Sequence, residues 1–247
     1  FFMGSMLIKI LKKLMGDNYY LIYHHNTQSL DGWFHSSLNR QHDLSKIPLA
    51  PFGTFYEFGT GGGKNLIKFL LALKVFCKQK NYPISNYRIF LFDTFEGMPY
   101  TDLVEDKQAG WSEGEIAFSI EELKKILTEA GIKLDELNIR FIKGNFSDSL
   151  TPELREELKQ YPPSIVDIDV DYYSSTKTVL DWVTPICNSG VLFYFDDYWA
   201  FNGNPEYGQI KGINEFNQKD VGYLTPFSLM GMPGKSMIYS KKVFEYI

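Results

Sequence analysis

An α/β fold built on a mostly parallel sheet with helices on both faces is predicted by three observations. From residue 52 onward, short apolar runs of strand length alternate with helix-length segments. The strand runs are apolar on both faces, as in a sheet covered on both sides. One of them, ending at Phe58, runs into the spaced glycines Gly59, Gly61 and Gly63 directly before a helical segment.

The elements follow in order. Residues 1–5 read as a cloning remnant ahead of a native methionine, Met6. Leu7, Leu11, Leu14 and Met15 set against Lys9, Lys12 and Lys13 predict a basic amphipathic helix, expected to pack on the body or on a second subunit rather than on a membrane surface. Asp17 to Pro51 carries all four histidines and shows no sustained periodicity, so residues 1–51 read as a helical or irregular cap and 52–247 as the main domain. A strand over Thr54–Phe58, a helix over Asn65–Lys78 and a strand over Tyr87–Phe92 make a βαβ unit. Ser119 and Glu122 have capping-box spacing before the stripe Leu123, Ile126, Leu127 and Ala130, which Gly131 closes. A strand over Asn138–Ile142 follows, then a short helix opened by Thr151 and Pro152 and ended by Pro162 and Pro163. Ser164–Ile168 is the fourth strand. Ser174 or Ser175 caps a helix with Val179, Trp182, Val183 and Ile186 on its buried face, and Gly190 releases it into a strand over Val191–Phe195. Tyr223–Met230 and Ser236–Tyr239 are expected to pair as an antiparallel hairpin at the sheet's edge.

Composition narrows the classes of function. A chain of 247 residues, 44% hydrophobic and 22% charged, buries one sizeable core. A net charge of -5, with no run of five like charges, argues against sequence-independent nucleic-acid binding and favours a small-molecule partner. With only Cys77 and Cys187, each in an apolar helical pattern, neither a disulfide framework nor a structural zinc site is expected, which fits a reducing cytoplasm. No uninterrupted apolar stretch approaches the ~20 residues of a membrane span, and no stable membrane association is expected.

The glycine turn is the candidate ligand site. Alternating glycines let backbone amides approach a ligand, and the helix start behind them adds partial positive charge, so an adenosine-containing cofactor is the natural guest. The dinucleotide fingerprint would need glycine where Lys64 stands, and a phosphate-binding loop would need glycine and Ser/Thr where Phe58 and Asn65 stand. Asp93, ending the second strand, suits vicinal ribose hydroxyls, the alternative being a turn-capping aspartate. Glu57 reads equally as a cofactor contact or as an acceptor for loop amides.

A second constellation is acidic. Asp167, Asp169 and Asp171 alternate at the end of the fourth strand, and Asp196 and Asp197 end the next one. Carboxylates brought to one sheet edge repel unless a cation joins them. All-oxygen ligands fit Mg²⁺ first, then Mn²⁺ or Ca²⁺.

In order along the chain, Glu57-Phe-Gly-Thr-Gly-Gly-Gly63, Phe92-Asp-Thr-Phe-Glu-Gly-Met-Pro99, Lys143-Gly-Asn-Phe146, Asp169-Val-Asp-Tyr-Tyr-Ser-Ser-Thr176 and Phe195-Asp-Asp-Tyr198 resemble the macrocin-type O-methyltransferases. The resemblance spans Phe52 to Phe216. It implies the Rossmann-like class I fold of S-adenosylmethionine-dependent methyltransferases, with a seven-stranded sheet and an antiparallel C-terminal hairpin. It also implies metal-dependent methylation of a small-molecule hydroxyl on a sugar or glycosylated natural product. Carried over by position, Gly59, Gly61 and Gly63 surround the cofactor's amino-acid portion, Asp93 meets its ribose, and Asn145 and Phe146 lie near adenine. Glu57, Thr60, Thr94, Phe95 and Asp169 complete the expected cofactor set. Asp169, Asp196 and Asp197 become the metal ligands, with Asp171 in reserve and Asp167 behind them. Asp169 is also the expected base, ahead of Tyr172, Lys177 and the histidines. Tyr100 to Phe118 reads as an inserted lid, and Trp111, Tyr172, Tyr173, Tyr198 and Trp199 are candidates to pack on a sugar or ring face. A homodimer through the N-terminal cap is a further expectation.

Two other readings remain open at this stage. The run Asp167-Ile-Asp169-Val-Asp171 also resembles the metal-binding Asp-x-Asp of glycosyltransferases, and the same motifs would suit a non-catalytic S-adenosylmethionine-binding protein.

Overall fold

The computed structural model describes residues 29–47, 49–227 and 234–242. The basic helix expected at residues 7–15, His24 and His25 lie outside them. The described chain runs α1 (Leu30–Ser45), β1 (Thr54–Phe58), α2 (Lys64–Lys80), β2 (Arg88–Asp93), α3 (Val104–Lys107), α4 (Ile120–Glu129), β3 (Asn138–Lys143), α5 (Phe146–Ser149), α6 (Pro152–Leu158), β4 (Ile165–Ile168), α7 (Tyr173–Val183), β5 (Leu192–Phe195), α8 (Gly208–Gln218), β6 (Gly222–Pro226) and β7 (Lys235–Lys241).

Seven strands form one sheet in the order β3-β2-β1-β4-β5-β7-β6. The first five are parallel, while β7 runs antiparallel to both β5 and β6. The expected hairpin pairing is present, but β7 lies inside the sheet between β5 and β6. Strand order reverses at β1, which has β2 on one side and β4 on the other, and a crevice opens at such a point outside the carboxyl ends of the strands.

Apolar residues fill both faces of the sheet. Tyr56, Phe58, Phe90, Phe92, Val166 and Ile168 pack with Val179, Leu180 and Val183 of α7 and with Ile213 and Phe216 of α8. On the other face Phe55, Ile89, Leu91 and Ile165 meet α1, α2 and α4. Helix α2 buries Leu66, Phe69, Leu70, Leu73, Phe76 and Cys77, a stripe at helical spacing, and carries Lys78 and Lys80 in its last turn where they favour the dipole. The capping box of α4 forms as the sequence predicts, Ser119 accepting from the Glu122 amide while Glu122 accepts from the Ser119 amide. Thr151 caps α6, with Pro152 in its first turn.

Two local expectations are corrected. Within the stretch read as lacking periodicity, Leu30–Ser45 is one 16-residue helix capped by Ser29. Its buried positions are Leu30, Trp33, Phe34, Ser37, Leu38 and Gln41. Gln41 lies inside because its amide donates to the carbonyls of Ser164 and Gly190. Helix α7 begins at Tyr173 without a serine cap, because Asp106 supplies the acceptor: the Ser174 amide and hydroxyl both donate to its carboxylate.

Candidate active site

A cavity of about 370 Å³ opens at the carboxyl ends of β1, β2, β4 and β5. Gly59 to Gly62, Lys64, Asp93, Thr94, Asn145 and Phe146 line one part of it, and Val170 with Asp169, Asp171, Asp196 and Asp197 another. Both constellations singled out in the sequence therefore share one chamber, of the size that holds a small ligand.

The glycine turn is shaped by its neighbours as much as by a ligand. Gly59 has φ +81, and a Cβ there would stand 1.7 Å from the Asp169 carbonyl oxygen. The backbones at the ends of β1 and β4 thus meet with no side chain between them, stitched by the Asp169 amide donating to the Phe58 carbonyl at 2.9 Å. Asp93 closes the turn from the other side. Its Oδ2 accepts the Gly61 amide at 2.9 Å and its Oδ1 accepts the Phe95 amide at 2.8 Å. Asp93 thus braces the turn and, half-buried on the cavity wall, retains acceptor capacity. Thr60 lines the cavity and carries a buried hydroxyl oxygen with no hydrogen-bond partner. An orphaned polar atom at that position fits a polar group of a guest.

Asp169, Asp171 and Asp197 bring one carboxylate oxygen each to within 4.8 Å of one another. Burial first and mutual repulsion second raise the Asp169 carboxyl well above the carboxylate range. Asp171 shifts the same way through burial, and Asp197 is pushed up to about 7 by burial and then by Asp171 and Asp196. An all-carboxylate donor set of this kind fits a hard divalent cation. Buried Gln209 of α8 sets the spacing, donating to the Ile168 carbonyl at 2.9 Å while accepting the Asp197 amide at 3.1 Å. It fixes the end of β4 against the end of β5.

The grouping of carboxylates differs from the expected metal set. Asp171, the reserve, joins the convergent trio, and Asp196 lies beside it on the cavity wall with its Oδ1 accepting the Tyr194 hydroxyl at 2.9 Å. The cause is local: β4 ends at Ile168 and Asp171 adopts φ +53, so the alternation of a continuous strand no longer applies. The Asp171 amide donates to Asp197 Oδ2 at 3.0 Å, drawing the two together.

Three of the expected cofactor residues stand behind the cavity wall. Glu57 is buried beneath the turn, in register with Asp167 of β4, and neither carboxyl has a hydrogen-bond partner. The Leu66 amide and the Asn65 carboxamide lie near them without ordinary hydrogen-bond geometry. Desolvation raises both carboxyls well above the usual range. Gly63 forms the N-cap of α2 against Leu123, and Phe95 packs into the core against Phe141. Lys64, Met98, Pro99, Ile116 and Ser175 line the cavity without having been singled out. Lys64 occupies the position where the dinucleotide fingerprint has glycine, a departure that marked it. Gln209 had no signal in the sequence.

The inserted segment lies against this cavity. Met98 pairs through its backbone with Gly114 and Glu115, and Phe118 and Ile116 lie against the glycine turn. Trp111 reaches the trio, its Nε1–H donating to Asp171 Oδ1 at 2.8 Å. Tyr198 and Trp199 pack on each other outside the cavity lining, while Tyr172 is buried and the Tyr173 hydroxyl donates to Glu215. Lys177 pairs with Glu215, and among the described histidines His35 bonds Gln79 and His42 bonds Asp43. None of these side chains lines the cavity.

Residues 52–215 match the family model of the macrocin O-methyltransferases, TylF. No curated protein matches the chain. Among solved structures, the O-methyltransferase NovP superposes with a TM-score of 0.62 at 17% identity, covering 96% of this chain and 99% of its own. The calicheamicin methyltransferase CalS11 gives 0.57 at 20% identity, covering 95% and 91%. At these identities the two likenesses speak for the fold.

Proposed function

The chain belongs to the macrocin O-methyltransferase family of S-adenosylmethionine-dependent enzymes, and from that premise we propose that it methylates a hydroxyl of a sugar or glycosylated small molecule with a divalent cation at Asp169, Asp171 and Asp197. The observation that carries the reading is the meeting of the glycine turn and Asp93 with the carboxylate trio in one cavity. When bound, S-adenosylmethionine supplies a methyl group already electrophilic on its sulfonium, and a divalent cation supplies a charge that lowers the pKa of an acceptor hydroxyl.

The chain's own residues do the rest. Asp93 would hold the cofactor's ribose hydroxyls, Thr60 would lie toward its polar amino-acid end, and Asn145 and Phe146 would border its base. Lys64, a cation at the start of α2, faces the same chamber and favours a carboxylate there. Asp169 takes the acceptor's proton. Holding an acceptor oxygen in line with the methyl that the cofactor would supply contributes most of the rate. The segment around Trp111 limits water in the chamber.

The glycosyltransferase reading keeps only Asp169 and Asp171 of its acidic run on the cavity wall. Asp167 of the Asp167-x-Asp169 pair is wholly buried with Glu57 and cannot present an oxygen to a nucleotide sugar's cation.

Calorimetric titration of S-adenosylmethionine and, separately, of a nucleotide sugar, each with Mg²⁺ and with chelator, tests the proposal. Saturable S-adenosylmethionine binding, followed by Mg²⁺-stimulated methylation in a screen of sugar-bearing hydroxyl acceptors, is expected. Nucleotide-sugar binding without S-adenosylmethionine binding would overturn it.

A further inference from the structure

The inserted segment has three attachments. At its base the Met98 amide donates to the Glu115 carbonyl at 2.8 Å and the Gly114 amide to the Met98 carbonyl at 2.9 Å, closing the segment into a loop. In its middle, buried Asp106 accepts from the Ser174 amide and hydroxyl at the first turn of α7 and from Thr101. That bond set ties short helix α3 to the protein body, and the Lys211–Glu105 pair at 3.1 Å ties it to α8. At its tip the contact is a single directed bond, from Trp111 Nε1–H to Asp171 Oδ1. Of the three, only the tip touches the carboxylate trio.

The bond is specific in a way that packing is not. Trp111 is 39% exposed, so the indole is packed on one side and open to solvent on the other. Asp171 has a left-handed backbone, a conformation that costs a residue with a Cβ about 1–2 kcal/mol and needs outside support. Its support consists of the amide bond to Asp197 on one side and the indole N–H on the other. Ile116, a β-branched residue at φ +56 on the cavity wall, carries the same kind of cost within the segment. A carboxylate has two oxygens, and the indole takes Oδ1, leaving acceptor capacity for a cation.

Resting on the cation site proposed above, we propose that Trp111 is a positioning residue that couples closure of the inserted segment to cation binding, by orienting Asp171 through one carboxylate oxygen. Hydrogen bonds to a ligating carboxylate fix its direction, and removing such a partner typically weakens metal affinity about 10- to 100-fold. Coupling is reciprocal: if a closed segment favours the cation, the cation favours the closed segment by the same factor. The chamber is therefore closed in the same state in which the trio is ready to receive an acceptor hydroxyl.

The test uses the full chain and Mn²⁺ alone, with free ion followed by electron paramagnetic resonance, together with cleavage after Glu113 by a glutamate-specific protease. Wild type is expected to bind Mn²⁺ and to be cut more slowly when it is bound. Trp111→Phe keeps the ring and loses the N–H. It should bind Mn²⁺ about 10- to 100-fold more weakly, lose the protection, and keep its thermal midpoint and its S-adenosylmethionine affinity in chelator. Trp111→His, which restores a ring N–H, should recover part of both effects. Equal or tighter Mn²⁺ binding by Trp111→Phe, with wild type binding normally, overturns the coupling and leaves the cation site standing. Absence of Mn²⁺ binding by wild type overturns both.

Discussion

Gly59→Ala should damage this protein far more than Gly61→Ala, although both glycines belong to one turn and both have positive φ. At Gly61 the added methyl would meet Ile116 Cγ2 at 3.6 Å, an ordinary contact, so the substitution carries only the left-handed cost of about 1–2 kcal/mol. At Gly59 the same cost applies, but the methyl would also lie 1.7 Å from the Asp169 carbonyl oxygen and 2.7 Å from its carbon. Those are backbone atoms that cannot rotate away. Relief requires moving the end of β4 by more than an ångström, which breaks the Asp169 amide bond to the Phe58 carbonyl, worth about 1 kcal/mol net. The expected loss is about 3–5 kcal/mol. Because Asp169 is the residue displaced, affinity of the trio for a divalent cation should fall as well, though Gly59 offers it no ligand. Urea unfolding followed by tryptophan fluorescence gives the stabilities, and Mn²⁺ titration the affinities. Gly59→Ala matching Gly61→Ala within about 1 kcal/mol, with unchanged Mn²⁺ binding, would refute the reasoning, since both effects derive from the same contact.

Three further outcomes are expected. Stability of the cation-free chain should fall as pH rises: Asp197 keeps its proton to about pH 7 when folded but releases it near pH 4 when unfolded, so its contribution is fully present below about 4 and lost through about 7. That is on the order of 4 kcal/mol across the window. Asp169 and Asp171 shift in the same direction, and Mg²⁺ at pH 8 should restore the thermal midpoint; a midpoint rising from pH 5 to pH 8 in chelator contradicts this. Asp171→Asn should weaken Mn²⁺ about 10-fold or more, and Asp196→Asn clearly less, because Asp196 is engaged by Tyr194; the reverse order in a titration returns Asp196 to the ligand set. Asp93→Ala, which removes acceptors for the Gly61 and Phe95 amides along with the proposed ribose contact, should weaken S-adenosylmethionine at least 10-fold by calorimetry. Unchanged affinity there would leave Asp93 a purely structural brace.

Much of the architecture was legible because the chain's local signals agree with its fold. The strand at Thr54–Phe58 is found with the boundaries read from the sequence, and the box at Ser119 and Glu122 forms as its spacing implies. What escaped has a common cause, a polar group satisfied by a residue far away in sequence. Helix α1 was hidden because buried Gln41 belongs to its inner face only by virtue of the Ser164 and Gly190 carbonyls, over 100 residues away. The start of α7 was misplaced because its acceptor is Asp106, 68 residues upstream. In the site, Asp169 and Asp197 were readable as strand-end carboxylates. Which of Asp171 and Asp196 stands closer to them was not, since it depends on a left-handed residue and on which carboxylate Tyr194 engages.

The costliest features of the chain lie where the glycine turn meets the acids. Glu57 and Asp167 are buried, adjacent across β1 and β4 and without hydrogen-bond partners, an arrangement that local rules of folding disfavour. Directly beyond them along the same strands, Gly59 admits the Asp169 backbone, and Asp169 begins the cluster of raised carboxyls. A core built for stability alone would carry apolar residues at positions 57 and 167 and would have no reason to gather carboxyls above them. Conflict between local preference and observed structure, confined to the carboxyl ends of two neighbouring strands, is what a site selected for chemistry leaves in a fold. It also explains why the turn and the trio belong to one device. The glycine that shapes the proposed cofactor end is the one whose missing side chain lets the proposed catalytic aspartate take its place.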